Sequence, residues 1–400
     1  VVTVPQLLID YLSTLPKNSP FVLTSAKGLM MTDTAWKRLY DSYMKDLNLQ
    51  YGNFVTVPNK FAPAKAPMMI KPFTPHELRH TFCTIMYEAG VDVLFHGIVY
   101  DVKSEGRTIT AVDITAKGQK ITVEADFFID ATGDGELFYL AGCDYQLGRE
   151  SDNLCQPMTT CFRMSGVDLD LFTEERPRLQ ELYKEKQAKG EITNPRENIL
   201  VFFGVGEDVL HFNSTRVIKL DPTNPFDVSK AEVIARKQIH ELIAFLKENS
   251  NAFHESSLIS IAIDIGIRES RKLKGVHILT GDEIIACTRF DDSIALGNYD
   301  IDIHNPSGTG TSHRFFGDGE FYTIPYRSLL PKEFDNLLVA GRCLSATHEA
   351  QASVRIMPIC CCLGEAAGTA VAVAHKTRTT AHTVDIKALQ QKLKDKGAVL

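Results

Sequence analysis

The sequence predicts a mixed α/β fold, and three stretches carry that prediction. Leu337-Leu338-Val339-Ala340 is a short apolar run halted at Gly341-Arg342, and after a loop of small and polar residues a helix opens at Pro358. Phe127-Phe128-Ile129-Asp130 is a second apolar run, ending in Ala131-Thr132-Gly133-Asp134-Gly135 before a helix from Glu136 to Ala141. Between the two, Ser229 to Asn249 is long and amphipathic. Short apolar runs stopped by glycine turns read as buried strands, and apolar residues at helical spacing read as helices packed on them.

Composition sets the bounds. The 400 residues suffice for two or three domains. At 44% hydrophobic and 23% charged the chain is ordinary for a globular protein, and a net charge of −7 argues against a chain built to coat nucleic acid. No secretory signal stands at the start, and Val1 in place of an initiator methionine reads as a fragment or processed product. The nine cysteines show no C-x-x-C spacing, so no metal site is expected and a reducing cytoplasm fits best. Residues 356–374 alone are long and apolar enough for a membrane span, but they carry Glu365, Pro358 and two glycines, so no membrane is expected.

In chain order, Val4 to Leu15 has helical spacing, residues 21–23 form a short strand, and Thr32 to Leu47 is an amphipathic helix capped by Thr32 or Asp33. Residues 49–73 are irregular, with four prolines. TPHELRHTFCT (74–84) then opens a capped helix continuing to Ala89-Gly90. From Val91 the period changes to that of strands: 91–102, 108–116 and a run from 119, separated by turns at Gly106 and at Lys117-Gly118. Ile359 to Ala374 is small or apolar almost throughout, so this helix is expected to be buried on all sides, with Cys360, Cys361 and Cys362 as packing residues. Its first turn offers N–H groups to a partly negative ligand atom.

The stretch 74–84 with the following Glu88-Ala89-Gly90 resembles the catalytic domain of tyrosine recombinases (phage integrases), over roughly residues 1–92. The resemblance implies that His76 and Arg79 would bind a scissile phosphate, and their i, i+3 spacing puts both on one helical face. The family's tyrosine nucleophile has no counterpart after Gly90, so strand cleavage is not expected. Residues 1–92 hold nine Lys/Arg against seven Asp/Glu, which supports at most a weak DNA contact.

Five other stretches occur in the order seen in FAD-dependent oxidoreductases of the glutathione-reductase-like superfamily: IDATGDGELFYLAG (129–142), IGIRESRKLKGVHILTGDEI (265–284), DIDIHNPSG (300–308), YTIPYRSLLP (322–331) and residues 336–374. The resemblance covers about 85–400. It implies a truncated FAD/NAD(P)-binding-type domain (91–150 and 265–400), with an inserted α+β substrate domain (150–265), preceded by a mostly helical partial recombinase domain (1–90). FAD is the implied cofactor, with a small-molecule substrate or a redox partner protein. Carried over by position, Ala131, Thr132, Gly133 and Asp134 would line the adenosine and pyrophosphate side, and Gly341 and Arg342 the pyrophosphate and ribityl chain. Arg355, Met357 and the amides near Leu363-Gly364 would meet the isoalloxazine. His304 and His348 are exposed-context candidates for proton transfer, each also readable as a hydrogen-bonded structural residue. Arg268 and Arg271 read as partners of acidic neighbours.

The superfamily's G-x-G-x-x-G loop is missing from this reading. Gly204-Val205-Gly206 has Val209 at the third glycine position, and Gly308-Thr309-Gly310 is not followed by a helix. Without that loop FAD affinity is expected to fall by about 3–8 kcal/mol, from one helix terminus and two charged hydrogen bonds. The two resemblances meet at Glu88-Ala89-Gly90-Val91-Asp92, where both families look alike. The expected product is therefore an impaired flavoenzyme carrying a recombinase fragment, by gene fusion or by an assembly artefact. The alternatives are a DNA-binding remnant and a non-functional chimera.

Overall fold

The computed structural model describes residues 90–400, and before them the strands Asn53–Val55 and Ala66–Met68, which pair antiparallel. The helices expected at 4–15 and 32–47, the strand at 21–23 and the capped helix carrying His76 and Arg79 lie outside the described residues. Residues 98–316 and 321–392 form the larger of two compact units.

The larger unit begins with a three-stranded antiparallel meander, Ile98–Glu105, Thr108–Ala116 and Gln119–Glu124. Its first strand starts seven residues later than the apolar pattern from Val91 suggests. His96, at φ 58, interrupts the extended backbone, and the ladder forms only beyond Gly97. Lys117 (φ 51) and Gly118 (φ 77) make the second turn with two left-handed residues, the geometry that joins twisted strands through two residues. The Asn336 side chain fastens the meander to the rest of the unit. It accepts from Ile109 N–H at 2.9 Å and donates to the carbonyls of Ile109 at 2.8 Å and Asp126 at 3.0 Å.

Phe128–Asp130 pairs in parallel with Leu337–Val339, Phe128 opposite Leu337 and Asp130 opposite Val339. All three residues of the second strand are fully buried, which is why it reads as an unbroken apolar run. The parallel register brings both strands to an end at the same level, so their following loops emerge side by side.

Between these strands in sequence lies a four-stranded antiparallel sheet, in the order Ser257–Ile261, Phe162–Ser165, Val209–Phe212, Val201–Gly206. Helices Leu169–Ala188 and Pro225–Asn249 share its core with Phe162, Phe172, Tyr183, Phe212, Ile239 and Phe245. The second helix starts a turn before the expected Ser229, because Asn224 accepts the N–H of Phe226 at 2.9 Å as a cap and Pro225 takes the first position. Both glycine pairs that lack the dinucleotide pattern fall in β-structure: Gly204 and Gly206 in a strand of this sheet, Gly308 and Gly310 in the loop between paired strands Ile301–His304 and Thr311–Arg314.

The long helix Met357–Thr377 departs from expectation. Ile359, Leu363, Ala366, Ala367, Ala370, Val373 and Ala374 are buried along one face, while Cys362, Gly368 and Ala372 are exposed on the other. Uniformly small residues carry no polar stripe to mark a solvent face, so burial on all sides was the natural expectation and one-sided packing is the finding. Among the described residues this is the one helix long and apolar enough to cross a membrane, with 44% of its most apolar window buried in protein.

Candidate functional site

Asp130, at the end of its strand and buried, builds the first loop. Its Oδ1 accepts from Thr132 N–H at 3.0 Å and from Thr132 Oγ1 at 2.8 Å, and its Oδ2 accepts from Phe138 N–H at 3.0 Å. Thr132 Oγ1 in turn accepts from Glu136 N–H at 3.0 Å, closing the loop onto the helix Glu136–Leu140. The carboxylate thus holds the Ala131–Gly135 turn without any aid from a ligand. Sequence reasoning passed over Asp130, although an Asp at a strand end before a glycine turn is a recognisable signal.

Gly133 and Arg342 then meet. Gly133 has φ +84, and a Cβ built on it would lie 2.4–2.8 Å from the guanidinium atoms of Arg342. That guanidinium donates to Asp134 Oδ1 at 2.9 Å, and Ser270 Oγ donates to the same oxygen at 2.6 Å. The structure therefore brings Gly133, Asp134 and Arg342 into one cluster from loops about two hundred residues apart. Arg342 Nε is buried and lacks a hydrogen-bond partner. Beside it Gly341, at φ +90, has no atom within 4 Å of where a Cβ would stand. An unsatisfied guanidinium donor next to bare backbone fits an anionic, phosphate-bearing group.

The helix Met357–Thr377 has Ile356 at its cap and Pro358 in the first turn, with no side chain capping it. Cys360 N–H is bonded to Ile356 O at 3.0 Å and so lies within the helical ladder. Leu363 and Gly364 sit further along, where amides are committed to the preceding turn, and the Leu363 side chain is wholly buried in the core. The amides outside the ladder of this helix lie in its first turn, beside Met357, which is 46% exposed.

The two histidines are buried, at 7% exposure for His304 and 3% for His348, so the exposed setting expected of them does not hold. His348 Nδ1 sits 2.8 and 2.9 Å from the oxygens of Glu269, and Lys272 Nζ donates to Glu269 at 2.6 Å and to Gly148 O at 2.6 Å. Burial alone would raise the Glu269 carboxyl, but the His348 hydrogen bond and the Lys272 charge outweigh it and the pKa falls. This network is a solvent-free brace for the helix His348–Val354.

His304 occupies a second network. Its Nδ1 faces Arg216 Nη2 at 3.2 Å, Arg196 Nη1 at 3.4 Å and Thr311 Oγ1 at 3.2 Å. Nitrogen facing guanidinium donors must accept, so the ring proton sits on Nε2, 3.3 Å from Asp302 Oδ2. Burial, followed by the Arg268 and Arg355 charges, outweighs the Asp302 hydrogen bond and pushes His304 down to about 4. The ring is neutral near pH 7 and its proton is already committed.

Among the described residues Arg268 pairs with no acid. Its Nη1 donates to Pro157 O at 2.6 Å and to Thr159 Oγ1, and its Nη2 to Asn213 Oδ1 at 3.4 Å. Arg271 lies over the Tyr139 ring at 4.1 Å and donates to Asp134 O at 3.2 Å. The neighbouring acids Glu269 and Asp134 are paired with Lys272 and Arg342. Arg196 and Arg216, which sequence reasoning did not single out, reach His304 from 108 and 88 residues away, with no local spacing to signal them.

A family model described as FAD dependent oxidoreductase matches residues 21–393. No curated protein matches the chain. Among solved structures, the flavin-dependent halogenase CmlS is 12% identical with a TM-score of 0.36, over 76% of this chain and 40% of that one. A triple mutant of the flavin-dependent brominase Bmp2 is 13% identical with a TM-score of 0.35, over 95% of this chain and 76% of that one. A geranylgeranyl bacteriochlorophyll reductase-like protein from Thermoplasma acidophilum is 13% identical with a TM-score of 0.37, over 86% and 66%. The chain thus spans less than half the length of CmlS. The family match reaches back to residue 21, into the stretch read as recombinase-like, and supports neither a recombinase segment nor a lost cofactor loop.

Proposed function

This chain belongs to the FAD-dependent oxidoreductase family, and on that premise we propose that it binds FAD across the Gly133–Asp134 and Gly341–Arg342 loops and acts on a small molecule or a redox partner protein. The cluster of Gly133, Asp134 and Arg342, with the unsatisfied Arg342 Nε, is the observation that carries the reading. Bound flavin would supply hydride or electron transfer.

The chain's own residues do the rest. Asp130 fixes the first loop before any ligand arrives, so little conformational freedom is lost on binding. Asp134 aims the Arg342 guanidinium, whose unpaired edge would receive an anionic oxygen. The start of the helix Met357–Thr377 lends its positive end to an electron-rich ring edge. Glu269, His348 and Lys272 hold the preceding helix in place from beneath.

The test is titration of the purified chain with FAD, followed by flavin fluorescence. Arg342→Ala should weaken FAD binding by about tenfold or more, the loss of one charged hydrogen bond. Protein that takes up no flavin in excess FAD, or an Arg342→Ala variant with unchanged affinity, removes the reading.

A further inference from the structure

The helix Pro225–Asn249 turns a second seam away from its core. Phe226, Val233, His240 and Lys247 recur along it every seven residues, and Lys230, Lys237 and Ala244 follow the first three at four; all of them are exposed. Alternating steps of four and three keep side chains in one line along an α-helix, the spacing at which two helices interlock. Phe226 is 84% exposed and Val233 55%, so two apolar side chains stand in water on this line.

Charge is sorted across the same helix. Asp227 accepts from Asp221 N–H at 2.9 Å, and Glu232 accepts from Ile265 N–H at 2.6 Å and pairs with Arg236. Glu241 accepts from Thr193 N–H at 2.9 Å and from Asn194 N–H at 3.1 Å. These acids are spent on the helix flanks, where they hold neighbouring loops, and Glu248 alone of the helix's acids stands exposed, at its last turn. Among the described residues no carboxylate lies within ion-pair distance of Lys230, Lys237 or Lys247. The seam therefore carries surplus positive charge on a chain whose net charge is −7.

Spacing and charge together select an occupant. A second copy of the seam would bring lysines against lysines, and like charges at close quarters cost affinity. A bilayer would gain little, because an interfacial helix needs a broad apolar face and here two large apolar side chains stand among three lysines. A helix with apolar residues at matching spacing and carboxylates beside them satisfies both features, closing over Phe226 and Val233 and reaching the lysines. We propose that this seam is the docking surface for an acidic amphipathic helix of a partner protein. The site goes beyond the flavin reading and does not rest on it.

The experiment is fluorescence anisotropy of the full chain with a labelled synthetic helix of about 22 residues, leucine at its a and d positions and glutamate at e and g. The same helix with lysine for glutamate, a glutamate peptide interrupted by prolines, vesicles of phosphatidylcholine with phosphatidylglycerol, and a DNA duplex are titrated beside it. The acidic helix should bind, more weakly as salt rises. Lys230→Glu/Lys237→Glu should weaken it at least tenfold and Phe226→Ser several-fold, while Lys184→Glu, on the exposed face of the helix Leu169–Ala188, leaves it unchanged. The substituted side chains are exposed, so circular dichroism should stay native; should the double variant unfold, Lys237→Gln alone should weaken binding several-fold. Absence of binding by the acidic helix, equal affinity in the folded lysine variants, or equal binding of the lysine helix or the proline-interrupted peptide overturns the inference. Tighter binding to the vesicles or to the duplex than to the acidic helix overturns it as well.

Discussion

Alanine at Gly133 probes the joint between the two site loops. The residue sits at φ +84, and forcing an L side chain into that region costs about 1–2 kcal/mol. The new Cβ would also overlap the Arg342 guanidinium, at 2.4 Å from Nη1, so the fork must swing away from Asp134. That pair is partly exposed, with side-chain accessibilities of 29% and 21%, so its loss adds only about 0–1 kcal/mol. Together the change should cost about 1–3 kcal/mol in urea unfolding without FAD. In FAD titrations it should behave like Arg342→Ala, because the guanidinium has left its place. The double variant Gly133→Ala/Arg342→Ala removes the overlap and keeps only the backbone strain, so its cost should be less than the sum of the single changes. A Gly133→Ala cost under about 0.5 kcal/mol, or strict additivity in the double variant, would refute the described approach of Arg342 to this glycine.

Three other outcomes follow from the buried networks. Lys272→Met leaves Glu269 charged in a buried site with the His348 ring and the Gln156 N–H beside it but no cation, and should cost about 3–5 kcal/mol in denaturant unfolding; a cost below about 1 kcal/mol contradicts the brace. Asn336→Ala strips the partner from Ile109 N–H, in a residue with no exposure, and should cost about 1–3 kcal/mol by the same measurement. The His304–Asp302 pair makes the protein acid-sensitive. His304 titrates near 4 when folded and about 6.5 when unfolded, so the unfolded chain binds more protons between those values and stability falls as pH drops through them. Burial would raise Asp302, but the bond from His304 and the Arg355 charge hold it at about 2, which continues the loss below pH 4. Over the upper window the loss is about 3 kcal/mol, and His304→Asn should flatten that part of the pH–stability curve; an unchanged slope would show that His304 is not its source.

What the sequence made legible was local. The meander announced itself through alternating residues between glycine turns, and the Ala131–Gly135 corner through a strand running into glycines beside an Asp. The helix Pro225–Asn249 was visible except for its first turn, although Asn224-Pro225 is a strong start signal. Two things were hidden for physical reasons. A helix of small residues has no polar stripe, so the exposed line of Cys362, Gly368 and Ala372 could not be foreseen. The histidines looked available because their partners, Glu269 for His348 and Arg216 for His304, are separated from them by 79 and 88 residues. Only the fold decides that such groups meet.

The pairing of Phe128–Asp130 with Leu337–Val339 also sets a schedule for folding. The second strand leaves the ribosome about two hundred residues after the first, and closing so long a segment as random chain is entropically slow. If the four-stranded sheet with its two helices condenses first, its ends draw together and the remaining search becomes short. Refolding should then show a fast phase in which the aromatic core around Phe162 and Phe212 forms, and a later one in which the Gly133 and Arg342 loops first come within reach. Any ligand held by both loops can bind only after that last event, which makes uptake of the cofactor a clock for completion of the fold.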